Sequence, residues 1–226
     1  MYTFTNPSNV RWVCNMYFIY FTIFLGVFPI SLYLVLRKRV ARELKFLSPF
    51  LWVVFIGSVY EFIITGLFQV DSQYWFWINK ILCFYSINYF FFRLLEKRFN
   101  KTYRYFNYFF AVFFGILLIN YFGSGTLEAS SYLIVFQAMV IYFYSIVWFV
   151  KLFKEIDVEA NLNYPIVLVV SGFIIYYSGN VVLYLLGDTL LKERGELFLE
   201  YWMLNVYLNL FFRTLLIISI WKKRVI

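Results

Sequence analysis

The sequence has no histidine, two cysteines and only 12 acidic residues in a chain of 226. Without histidine, the commonest general base, metal ligand and near-neutral proton switch are all missing together. A Ser–His pair and a histidine-ligated metal are excluded with them. Cys14 and Cys83 lack metal-ligand spacing and lie in or beside apolar runs, where small thiols pack as hydrophobes. Asp71, Asp157 and Asp188 are the only aspartates, and they fall in connections or at segment ends. A paired intramembrane aspartate site is therefore unsupported. Phosphate-cradling glycine loops are also lacking, because GSGT at Gly123–Thr126 reads as a turn between helices. No enzyme is expected from this composition, and no metal or organic cofactor.

What is present is apolar surface. Hydrophobic residues make up 63% of the chain, aromatic residues 26% and charged residues 14%. A soluble domain carries about 45–50% apolar and about 25% charged residues. The balance describes an all-α polytopic membrane protein, with residues 1–226 as a single domain in the lipid bilayer. The net charge of +8 sits in short connections between apolar runs, so it reads as a topology signal and not as a nucleic-acid surface.

A spanning helix needs about 20 mostly apolar residues. Seven segments qualify: Val13–Leu36, Ser48–Phe68, Trp75–Leu95, Tyr105–Phe122, Ser130–Phe153, Tyr164–Leu186 and Tyr201–Trp221. The first has neither a charged n-region nor a small-residue cleavage site, and reads as a retained span. One set of connections holds fifteen Lys and Arg residues, chiefly in Arg37–Lys45, Arg93–Arg104 and Lys222–Arg224. The opposite set, Arg11, Lys80, Lys192 and Arg194, holds four. The asymmetry places the N-terminus outside and the C-terminus in the cytoplasm, in a cytoplasmic (inner) membrane. All seven tryptophans fall near segment ends, where indoles favour the interface. The outer connections are Gln69–Tyr74, Gly123–Ala129 and Gly187–Glu200, all short.

The last segment carries Asn205, Asn209 and Arg213, spaced by four residues and hence along one helix face. A guanidinium at the centre of a membrane helix costs at least about 2.5–3.5 kcal/mol, so it should face the protein interior and find a partner. Glu61 is the one acidic residue inside another apolar segment. At 1.5 Å per residue, Glu61 lies about 12 Å, Asn209 about 13 Å and Arg213 about 19 Å below the outer ends of their segments. Asn88 and Asn180 fall in the same outer-to-middle zone, and a Glu61–Arg213 contact is feasible. Glu61, Asn88, Asn180, Asn205, Asn209 and Arg213 are therefore the candidate ligand or proton site. Two readings stay open: interhelical glue that fixes register, or a polar cavity that binds something or relays a proton. Arg93, at an inner end, is expected to snorkel. Gly172, Ser178 and Gly179 supply small-residue packing surface.

An internal echo runs through the chain. NYFFFRLL (Asn88–Leu95) resembles NLFFRTLL (Asn209–Leu216), and Pro49 and Pro165 open the segments preceding them. A three-plus-one-plus-three duplication would produce this pattern, and parallel repeats do build transporter folds.

IIYYSGNVVLYLL (Ile174–Leu186), followed by a polar loop and YWMLNVYLNLFFRTLLIISIWK, resembles uncharacterised seven-span proteins of Bacteroidota-type bacteria. Some of these resemble the membrane sensory regions found with histidine kinases. The resemblance covers mainly the last two segments and implies the sensing half of a signalling system, acting through a membrane or cytoplasmic protein partner. The plan is also similar to sugar-transporting PQ-loop proteins, but no Pro-Gln dipeptide occurs. The leading expectation is a membrane sensor or signalling subunit with an unidentified ligand. A small-solute transporter and a structural subunit of a membrane complex are the alternatives.

Overall fold

The computed structural model describes residues 17–68, 73–95, 99–124, 128–155, 164–193 and 195–222, and those residues are helical nearly throughout. The first segment comprises α1 (residues 17–25) and α2 (Phe28–Leu36). A short α3 (Arg42–Lys45) leads to α4 (Ser48–Tyr60), which runs directly into a π-helix at Glu61–Leu67. Longer helices follow: α5 (Gln73–Leu95), α6 (Asn100–Ser124), α7 (Glu128–Glu155), α8 (Tyr164–Glu193) and α9 (Gly195–Lys222).

Among the described residues, five stretches are long and apolar enough to cross a membrane: Tyr17–Leu36, Asn100–Asn120, Ser131–Lys154, Pro165–Leu186 and Met203–Lys222. Two of the seven expected spans differ in character. Ser48–Ile64 is apolar but shorter, and it ends in the wider turns of the π-helix. α5, 23 residues long, has spanning length at about 35 Å. Its Asn79, Lys80, Asn88 and Arg93 make it too polar for that class. The packing explains this. α5 touches α4, α6 and α7, and Trp77, Phe84, Ile87, Phe90, Phe91 and Leu95 are buried, so much of its surface meets protein.

Neighbours in sequence are neighbours in space, and α9 closes the ring by packing on α2 as well as α8. Aromatic rings fill the middle. Phe50 of α4, Phe173 of α8 and Phe212 of α9 meet with centroids 5.1–5.8 Å apart. Phe91 of α5 stacks on Tyr144 of α7 at 5.6 Å, and Phe84 stacks on Phe110 of α6 at 3.7 Å. In a bilayer such close packing, and not water exclusion, holds helices together. The outward faces carry side chains such as Tyr105, Ile119 and Phe153, each about 70% exposed, which suits lipid contact.

Local sequence accounts for the irregularities. Pro29 has no N–H to return to the Leu25 carbonyl, so the first helix breaks just before it. The chain tightens there, with Gly26 N–H donating to Ile23 (2.9 Å) and Thr22 (3.2 Å) and Val27 N–H to Phe24 (3.1 Å). The basic Arg37–Lys45 connection is tucked in, because Val40, Leu44 and Leu47 are all buried under the bundle. Arg93 lies exposed over the Phe46 ring at 4.8 Å, so its stem and charge rest on an aromatic at the basic end. The expected connections Gly123–Ala129 and Gly187–Glu200 are shorter than their sequences suggested. α6 extends to Ser124 and α7 starts at Glu128, while α8 extends to Glu193 and α9 starts at Gly195.

Candidate functional site

The six predicted polar residues fall in three settings. The first surrounds Arg213, which is 9% exposed. Its guanidinium donates to the main-chain carbonyl of Thr22, one turn before the break in the first segment. Gly26 makes room for it: a β-carbon there would overlap the Ser58 hydroxyl and press on the guanidinium. Ser58 itself is 1% exposed, and its hydroxyl has no hydrogen-bond partner. Asn209 donates to Asn205 through both its main-chain oxygen (3.1 Å) and its side-chain oxygen (2.9 Å). The four-residue spacing thus does align these three residues on α9.

Glu61 does not meet Arg213 directly. It is exposed at the first position of the π-helix, and the arginine's bond goes to Thr22. The two are close enough for their charges to interact, and Glu61 also acts on Tyr176 and Tyr184. The bundle therefore packs around Arg213 without enclosing Glu61.

The second setting is Asn88, 2% exposed, whose amide donates to the Asn107 side chain of α6 at 2.5 Å. It faces a void of about 10 Å³ shared with Gln137 and Tyr144. This space admits one water at most. The Asn88 carbonyl and the Tyr144 hydroxyl are both unpartnered there.

The third setting is a cavity of about 80 Å³ between α5, α7 and α8, in the half of the bundle away from the basic end. Its polar lining comes from Asn79, Lys80, Gln137, Tyr176, Asn180 and Tyr184, with Cys83 and Tyr177 beside them. Asn180 is 3% exposed, donates its amide N–H to the Tyr176 carbonyl at 2.9 Å, and keeps an unpartnered oxygen. Gln137 donates to the Lys80 carbonyl at 2.8 Å, which ties α7 to α5.

Lys80 is the residue that sequence reasoning missed. Its position near the start of α5 reads as an outer flank, yet it is 7% exposed. Its ammonium lies over the rings of Trp77 (5.7 Å) and Tyr184 (5.1 Å). The available signal was the polar pair Asn79-Lys80 inside an otherwise continuous run of aromatic and aliphatic residues.

One residue links the first and third settings. Tyr176 lines the cavity, stacks on Phe212 of α9 at 5.2 Å, and lies near enough to Asn209, Arg213 and Glu61 to interact with them electrostatically. Comparison with protein-family models, curated proteins and solved structures gave no match to this chain.

Proposed function

We propose that the chain is an integral membrane sensor or signalling subunit with no catalytic activity of its own. In this reading it crosses a bacterial inner membrane seven times, with its N-terminus outside and its C-terminus in the cytoplasm. The spans Ser48–Phe68 and Trp75–Leu95 complete the five that are apolar enough by themselves. The observation that carries the reading is the position of Tyr176, shared by a polar cavity and by the Arg213 clasp on the broken first helix. Occupancy of the cavity would shift Tyr176, and Asn209 and Arg213 would pass the shift to Thr22 and the Gly26–Val27 break. From there α2 leads straight to the basic connection Arg37–Lys45, which would meet a protein partner or anionic lipid.

Transport needs a route to both sides, and the arrangement gives that reading less support. Toward the basic end α5, α7 and α8 carry Phe84, Phe90, Phe91, Tyr144 and Phe173, each at most 3% exposed, a closely packed aromatic layer. The test is a thermal-unfolding screen of small polar solutes, with every stabilising solute then assayed for uptake into proteoliposomes. A sensor gives stabilisation without uptake. Saturable uptake would establish the transporter instead, and a screen with no stabilising solute would leave a structural subunit.

A further inference from the structure

We propose that the groove between α4 and α5 holds an anionic phospholipid, its phosphate on Lys45 and Arg93 and an acyl chain along the apolar residues beyond them. The proposal rests on the bilayer of the proposed function and names the partner that the end of the Arg37–Lys45 connection meets.

The two helices run antiparallel. A β-carbon on Gly57 would lie 3.8 Å from both Trp75 and Asn79, which joins the end of α4 to the start of α5. At the opposite end Phe46, just before α4, lies under the Arg93 guanidinium at 4.8 Å. Main-chain bonds from Phe46 to Glu43, Leu47 to Leu44 and Leu51 to Leu47 carry a near-helical path from α3 into α4. Phe46 and Gly57 therefore share one face, the one turned to α5. Lys45 and Ile56 each precede those residues by one position, about 100° around the helix. Both are exposed, as is Trp52 between them. On α5, Ile78 stands in the same relation to Asn79, and exposed Leu82 and Tyr85 continue its stripe toward Arg93. Equal offsets in the same rotational sense put both stripes on one side of an antiparallel pair. They are two walls of one groove.

The chemistry changes along this groove. At the basic end, Arg93 rests the face of its guanidinium on Phe46, which leaves the N–H edges in the plane suited to two phosphate oxygens. Lys45 adds a second exposed cation. Beyond them the walls are apolar: Trp52 and Ile56 on α4, Leu82 and Tyr85 on α5, each 37–44% exposed. Lys45 to Ile56 and Arg93 back to Leu82 are eleven positions each, or about 16 Å. That is close to half of a hydrocarbon core about 30 Å thick. A free phosphate or an acidic peptide would meet the cations and leave the apolar walls unused. A zwitterionic lipid brings its own positive charge to the cationic corner, whereas an anionic one adds attraction.

The purified full-length protein, stripped of lipid in detergent, would be titrated with phosphatidylglycerol and phosphatidylcholine of identical chains. Retained lipid would be counted by native mass spectrometry. Phosphatidylglycerol should bind about tenfold or more tightly, and joint Lys45→Gln and Arg93→Gln changes should remove that preference. Joint Arg104→Gln and Lys154→Gln changes take the same charge from exposed positions on α6 and α7 and should leave it intact. A second readout serves if the first pair does not fold. Phosphatidylglycerol brominated on its acyl chains, at one lipid per protein, should quench tryptophan fluorescence, and Trp52→Phe should remove most of that quenching. Equal retention of the two lipids, an equal loss in the control pair, or quenching unchanged by Trp52→Phe would overturn the proposal. So would displacement of the lipid by equimolar glycerol 3-phosphate or poly-glutamate, which would assign the corner to a free phosphate or to an acidic protein. None of these results touches the sensor reading; a chain that stays folded and soluble without detergent would overturn the bilayer itself.

Discussion

A buried guanidinium on a membrane helix needs an acceptor, and Arg213 finds one in the main chain of another helix and not in Glu61. Carbonyls near a proline break are accessible because the helix there has tightened, and Gly26 leaves room for the arginine to approach. Gly26→Ala should therefore destabilise by about 1–3 kcal/mol through overpacking. Ser58→Ala should be neutral or stabilising, since the hydroxyl has no partner to lose, and it should relieve part of the Gly26→Ala penalty. Thermal unfolding of the two single variants and the pair checks both statements. A Ser58→Ala variant less stable than wild type, with no relief in the pair, would show that the packing around Arg213 is misread. At this scale much was legible in the sequence. The four-residue spacing of Asn205, Asn209 and Arg213 gave their shared face. The partner was not legible, because a main-chain carbonyl carries no mark in a sequence. Lys80 was hidden for a related reason: its burial depends on Tyr184, which lies more than a hundred residues away.

Among the helices, α8 and α9 depend on small residues for their close approach. A β-carbon at Gly179 would overlap the Leu208 side chain, and Gly172 sits within 3.1–3.2 Å, in the same sense, of Phe212 and Leu215. Gly179→Ala is expected to cost about 1–3 kcal/mol, read as a lower unfolding temperature. Gly115, with open space around its α-carbon, is the control and should accept alanine without loss. The existence of these helices was readable from apolar length alone. The switch of α4 into a π-helix at Glu61 was not, because no residue type there demands an extra main-chain position per turn. The echo between Asn88–Leu95 and Asn209–Leu216 also fades in three dimensions. Arg213 follows Asn209 by four residues, roughly 40° around the helix, whereas Arg93 follows Asn88 by five, roughly 140°. One arginine accordingly points inward beside its asparagine, and the other rests on Phe46 at the basic end.

Across the whole molecule, the described helices form one ring in sequence order, with positive charge gathered at one end. The proposed orientation makes a direct prediction. Cysteines placed one at a time at residues 39 and 124, in a Cys14→Ser background, should differ toward an impermeant maleimide on intact cells. Position 124 should label and position 39 should not; the reverse pattern would invert the topology. The ring order itself was only partly legible, since alternating spans imply antiparallel neighbours but not which pair closes the circle. Closure is made by α9 against α2, and it is there that the Arg213 clasp lies. The central claim is that the cavity and this clasp act on each other through Tyr176. The most direct measurement is a double-mutant cycle of Tyr176→Phe and Arg213→Met by thermal unfolding. Coupling through Tyr176 predicts an interaction energy of about 0.5–3 kcal/mol between the two changes. Effects that add to within about 0.3–0.5 kcal/mol would contradict it and leave two independent polar sites in one bundle.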